Sequence, residues 1–344
     1  MSNSEPSSTP SGEPTDGASA PAPGTHRAKT TGLAQSEPVP GVAKVDPILK
    51  IDGVTRSFGG LVAVDVDHLE IPRGAITALI GPNGAGKTTL FNLLCGFDRP
   101  NAGAWSYEGR NLAGVPSFKV ARMGQVRTFQ LTKSLSLLTV LENMKLGARD
   151  QTGERFWQSL FPFLWRAQER EIEQKARELL ARFKLDEKEK DFAASLSGGQ
   201  RKLLEMARAL MSDPQLVLLD EPMAGVNPAL TQSLLGHILD LKDRGMTVLF
   251  VEHDMHMVRH IADWVVVMAE GRVVAEGPPD RVMEEQAVID AYLGSHQDVD
   301  LGVVTGRISG ELNTSAIDLL EEIDQEVQRE TVDEDGTDGK GRDA

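Results

Sequence analysis

The sequence is poor in cysteine: Cys95 stands alone among 344 residues. A single thiol excludes a disulfide framework and any zinc or iron–sulfur centre built from several cysteines, and it fits a reducing, cytosolic compartment. Long apolar runs are also missing. No stretch reaches the roughly 20 residues that a helix needs to cross a bilayer. The first 20 residues carry neither a basic nor an apolar region, so no secretory signal is expected. Basic residues fall short as well, 36 Lys and Arg against 51 Asp and Glu, for a net charge of −15. A uniform charge of that sign would oppose nucleic acid and anionic lipid, but the shortfall is local.

Residues 1–46 hold seven of the 18 prolines, abundant Ser, Thr, Gly and Ala, and no hydrophobic period. Such a segment buries too little apolar surface to offset its ordering entropy, which predicts a disordered N-terminal tail. Residues 296–344 hold 14 acids and four bases, so the stretch 47–295 between the two tails is left at only −3. Within the acidic tail, Ile317, Leu320, Ile323 and Val327 fall on one face of a possible helix over 315–330. That pattern fits a solvated helix, disorder or a docking segment.

The middle stretch reads as α/β. Ile48–Phe58 and Ala63–Ile71 suggest a hairpin across Gly59-Gly60. Buried strands are expected at Ala75–Ile80, Leu216–Leu219, Thr247–Val251 and Trp264–Met268, with helices at Lys87–Leu94 and over 165–184. Five aromatics fall within ten residues, Phe156, Trp157, Phe161, Phe163 and Trp165. They suit either a local core or an apolar groove that receives a partner helix.

Three motifs carry chemistry. Gly81-Pro82-Asn83-Gly84-Ala85-Gly86-Lys87-Thr88, followed by Thr89, has the spacing of a phosphate-binding loop between a strand and a helix. Its glycines let backbone N–H groups converge on an anion, and the helix adds its positive end. Lys87 would reach the β and γ phosphates, and the Thr88 hydroxyl would ligate Mg²⁺. Leu216–Leu219 runs into Asp220-Glu221, so a buried strand would deliver Asp220 to a metal shell and Glu221 to an attacking water. Between them lies Leu196-Ser197-Gly198-Gly199-Gln200, a helix cap by one reading and a second anion nest by the other.

These motifs in this order, followed by His253 after another strand, resemble the nucleotide-binding subunit of ATP-binding cassette (ABC) transporters over about 250 residues, 47–295. The resemblance implies a P-loop NTPase with a RecA-like core, an antiparallel β subdomain and an α-helical signature subdomain at about 131–200. It implies that Phe58 stacks on adenine and that Gln130 contacts Mg²⁺ together with Thr88 and Asp220. Ser197 and Gly199 would contact the γ phosphate of ATP held by a second cassette, with Gly198 and Gln200 beside them in the nucleotide-binding set. His253 would hold the γ phosphate and couple to Glu221. The pattern departs at Asn227, where many cassettes have aspartate. Ala224-Gly-Val-Asn-Pro228, Val251-Glu-His-Asp-Met255 and Val288-Ile-Asp-Ala-Tyr-Leu-Gly294 together resemble the ATPase subunits of branched-chain amino-acid importers. Urea importers and lipopolysaccharide exporters share part of this pattern.

The resemblance further implies an ATP hydrolase at the cytoplasmic face of the membrane, held there by permease subunits. Its other partners would be a second ATPase subunit and a separate solute-binding protein. A soluble cassette ATPase acting on nucleic acid is the alternative from another class, and no nucleic-acid partner is expected. A non-hydrolysing regulatory cassette fits poorly with Lys87, Gln130, Glu221 and His253 all present.

Overall fold

The computed structural model describes residues 33, 37–128, 133–149, 151 and 162–294. Ten strands among the described residues fall into two sheets. β1 (Pro47–Phe58), β2 (Leu61–Pro72), β4 (Ala102–Tyr107) and β5 (Arg110–Asn111) form an antiparallel sheet in the order β2-β1-β4-β5. The expected hairpin is present, with Phe58 opposite Leu61 across the Gly59-Gly60 turn. The second sheet has the order β10-β9-β3-β8-β7-β6, built from β3 (Ile76–Ile80), β6 (Gln125–Arg127), β7 (Leu216–Asp220), β8 (Thr247–Val251), β9 (Trp264–Ala269) and β10 (Arg272–Gly277). Its strands pair in parallel except β10, which runs against β9.

Nine helices complete the described chain: α1 (Lys87–Leu94), α2 (Ser117–Met123), α3 (Val140–Lys145), α4 (Pro162–Arg182), α5 (Gly198–Leu210), α6 (Pro228–Asp243), α7 (Met255–Ile261), α8 (Pro279–Val282) and α9 (Gln286–Gly294). No helix among the described residues is long and apolar enough to cross a membrane.

The parallel strands are buried on both faces, which is why they read as unbroken apolar runs rather than alternating ones. Every residue of β3 and β8 is buried. Alternation decides which layer each side chain joins. Ile76, Ala78 and Ile80 face a core shared with α3, α4 and α5, through Val140, Met144, Leu180 and Leu204. Leu79, Leu218 and Val266 face a second core, with α1 and the antiparallel sheet, where Trp105 and Tyr107 are fully buried. Thus β3 is the shared wall between the two cores, and the loop after it is anchored from both sides.

Composition placed residues 37–46 in the tail, but they lie on the folded core. The Val42 N–H donates to Glu276 Oε1 at 3.0 Å, and the Lys44 N–H donates to Glu70 Oε2 at 2.6 Å. The Lys44 ammonium is fully buried against Glu276 Oε2 at 2.5 Å, and the Trp264 indole N–H donates to that same oxygen. A buried lysine is tolerated only when so paired. Its partner is 232 residues away, which composition cannot register. Phe156, Trp157 and Phe161 lie outside the described residues, as do 296–344 with the possible helix 315–330. Trp165, on α4, is half-buried.

Candidate functional site

Parallel strands end on one edge, and that edge gathers the motifs. The phosphate loop follows β3, Glu221 follows β7, and His253 lies two residues beyond β8. The loop's close approaches explain two of its glycines. A Cβ at Gly81 would sit 2.0 Å from the Met268 carbonyl oxygen, and one at Gly86 would sit 2.2 Å from that of Ala63. Both also have positive φ, 146° and 95°, which side chains disfavour. Neighbouring backbone holds the loop from outside, since the Gly271 N–H donates to the Ala85 carbonyl and the Asp65 N–H to that of Gly271. The Tyr292 hydroxyl, on α9, lies near the Gly81 backbone, and burial pushes its pKa up to about 12. Nothing in the sequence pattern linked Tyr292 to this loop.

Lys87 opens α1 and turns back over the loop, donating to the carbonyls of Gly81 at 2.6 Å and Pro82 at 2.8 Å. Burial lowers its pKa, while the carboxylates of Glu221 and Asp220 work the other way. Asn83, Gly84 and Thr88 are exposed along the loop, and Thr89 is half-buried.

Thr88, Asp220 and Glu221 line one cavity of about 370 Å³, together with Arg127, Lys202 and Glu205. A hydroxyl and a carboxylate converging there form an oxygen donor set of the kind Mg²⁺ takes, so these residues fit that ion. One oxygen of Asp220 is engaged: Arg127 donates to Oδ2 at 2.6 Å and also to Asn92 Oδ1 at 2.6 Å. That guanidinium is nearly buried and lies over the Phe91 ring. No motif in the sequence singles out Arg127 for this place. Gln130 lies outside the described residues.

Glu221 and His253 do meet. His253 Nε2 is 3.3 Å from Glu221 Oε1, with both side chains near half exposure, 49% and 43%. Glu221 has φ of 46°, a left-handed backbone uncommon for a residue with a side chain. Its N–H donates to the Val251 carbonyl, which ties it to the end of β8.

Ser197 caps α5. Its hydroxyl accepts from the Gln200 N–H at 3.2 Å, and Gln200 Oε1 accepts from the Ser197 N–H at 3.0 Å, a reciprocal capping box. Ser197 and Gly198 are exposed and do not line the Thr88–Glu221 cavity, whereas Lys202 and Glu205, further along α5, do. Asn227 caps α6, accepting from the Leu230 N–H at 3.0 Å. Phe58 stands exposed at the hairpin end, with the Arg56 guanidinium 4.4 Å from its ring centre.

Comparison with known proteins places these features in a family. The ABC transporter family model matches residues 64–224, and a model described as branched-chain amino acid ATP-binding cassette transporter matches 272–298. A probable branched-chain amino acid transport ATP-binding protein, LivG, of Archaeoglobus fulgidus is 40% identical over 257 residues, which is 74% of this chain and 99% of that protein. The high-affinity branched-chain amino acid transport ATP-binding protein BraF of Pseudomonas aeruginosa is 40% identical over 72% of this chain and 98% of its own length. Among solved structures, a nucleotide-free ATP-binding cassette from an ABC transporter aligns with a TM-score of 0.63 at 36% identity. That alignment covers 72% of this chain and 98% of the other. The ADP conformation of another such cassette aligns at 0.63 and 35% identity, over 73% of this chain and all of that one.

Proposed function

The chain belongs to the ABC transporter family as an ATP-binding subunit, and on that premise we propose that it drives uptake of branched-chain or related amino acids through separate permease subunits. The match over 272–298 supports the substrate class, because the model that matches there is described as a branched-chain amino acid ATP-binding cassette transporter. The observation that carries the hydrolytic role is the Glu221–His253 contact at 3.3 Å, set beside the cavity that Thr88 and Asp220 line.

In this reading the phosphate loop, residues 81–89, binds the ATP phosphates with backbone N–H groups and Lys87. Phe58 stacks on the adenine. Thr88, Asp220 and Gln130 would hold Mg²⁺, which when bound neutralises charge on the phosphates. Glu221 orients the attacking water and accepts its proton, while His253 fixes the Glu221 carboxylate and the γ phosphate. Ser197 and Gly198 are exposed in a single copy, Gln200 is half-buried and Gly199 buried behind them, and this loop acts across a head-to-tail dimer on the partner's ATP. ATP favours the closed pair, and that preference is what can be converted into movement of the permeases. The helices α3, α4 and α5 transmit it as a subdomain. Transport places the chain at the cytoplasmic face of the membrane, with a solute-binding protein supplying substrate on the far side.

Reconstitution with its permeases in vesicles tests this. Branched-chain amino acids delivered by a solute-binding protein should stimulate ATP hydrolysis and accumulate. Stimulation by urea, or lipid extraction in their place, would reassign the cargo while leaving the ATPase in place.

A further inference from the structure

The turn that carries Glu221 is held by two charged side chains outside the motifs already assigned. Glu252 follows β8 directly and is 3% exposed. Its Oε1 accepts from the Met223 N–H at 2.9 Å, and its Oε2 accepts from the His253 N–H at 3.4 Å. One carboxylate therefore grips both the turn after β7 and the turn after β8. From the other side, Lys202 on α5 donates to the carbonyls of Glu221 at 3.2 Å, Pro222 at 3.0 Å and Ala224 at 2.5 Å. The anion takes the donor of the turn and the cation takes its acceptors. Hydrogen bonds to ionised groups are about twice as strong as neutral ones, which suits a turn that must hold Glu221 at positive φ.

We propose that Glu252 and Lys202 are positioning residues that bracket residues 221–224, fixing Glu221 against His253 and linking its backbone to the signature helix α5. This rests on the reading of Glu221 as the group that orients water. The link has a direction. Lys202 stands two residues after Gln200, so any displacement of α5 when the signature loop meets a partner's nucleotide is transmitted to the Glu221 carbonyl. Burial lowers the Lys202 pKa, with Glu252 the strongest charge opposing that shift. Burial raises that of Glu252, against the two N–H groups it accepts from.

The test uses the full chain with Glu252→Gln and Lys202→Met. Glu252→Gln keeps the shape but offers one acceptor for two N–H groups, and Lys202→Met keeps the stem but donates nothing. Each should lower kcat by about tenfold to a hundredfold, the scale of a misplaced catalytic group, with KM for ATP within about threefold of wild type. Lys202→Arg should recover most of the loss. Because the bracket acts through Glu221, adding Glu252→Gln to Glu221→Gln should cost less than about twofold of the residual rate. Turnover near wild type in both variants overturns the proposal. So does a loss that merely tracks the fraction of chain able to bind ATP, or a double variant whose losses multiply. If Glu221→Gln itself hydrolyses at the native rate, the underlying reading fails. If Glu221→Gln is inactive and Glu252→Gln is fully active, the bracket alone fails.

Discussion

Two glycine-rich segments begin helices in this molecule, and they are built oppositely. The phosphate loop is concave and crowded: its glycines sit at positive φ, and Cβ atoms at Gly81 and Gly86 would strike backbone carbonyls at 2.0 and 2.2 Å. The signature loop is open at Gly198. An added Cβ at Gly198 meets nothing within 4 Å, and the helix start is already satisfied by the Ser197–Gln200 capping box. The phosphate loop's glycines are explained by the single chain; in the signature loop that holds for Gly199, where a Cβ would sit 1.7 Å from Leu230 Cδ2, but not for Gly198. A glycine without a local reason, at an exposed helix start, points to a contact that one copy lacks.

Substitutions can break this contrast. The largest effect is expected from Gly86→Ala, which must displace the Ala63 carbonyl: calorimetric titration should find ATP binding abolished and melting lowered. Next, Gly198→Ala should leave melting within about 0.5 kcal/mol of wild type and leave ATP binding intact. It should nonetheless reduce hydrolysis tenfold or more, on the scale of a misplaced group. Equal losses of binding in both variants would erase the distinction. Ser197→Ala should cost about 1 kcal/mol in chemical denaturation through loss of the cap.

A smaller effect sharpens the comparison further along α5. Burial pushes the Glu205 carboxyl up to about 7, with Arg208 and Lys202 opposing it. A carboxyl whose folded pKa lies above its unfolded one contributes stability that is present below the unfolded value and lost as pH rises through the folded one. Glu205→Gln should therefore melt a few degrees above wild type at about pH 8, with the gap closing near pH 4. A gap independent of pH would contradict that.

Much of the site was legible because its motifs end buried strands, and apolar runs of four or five residues announce those strands. Lys87, Asp220, Glu221 and His253 come together because parallel strands deliver their ends to one edge, whereas Ser197 caps α5 away from the Thr88–Glu221 cavity. The residues that no motif marks depend on partners distant in sequence. Arg127 meets Asp220 across 93 positions, and Lys44 meets Glu276 across 232. Glu252 stands inside a motif whose histidine draws the eye, and Lys202 beside one whose glycines do. The strands over 102–127 are hard to read because β5 and β6 are two and three residues long, too short for a period to form.

The central proposal is that the hydrolytic site is completed by a second ATPase subunit, a further copy of this chain or a related one, and that hydrolysis directed by Glu221 opens it again. Sedimentation of the Glu221→Gln chain with and without ATP and Mg²⁺ tests it most directly. The account predicts a monomer without nucleotide and a stable dimer retaining two ATP with it. A chain that stays monomeric and still turns over ATP at the native rate would contradict it.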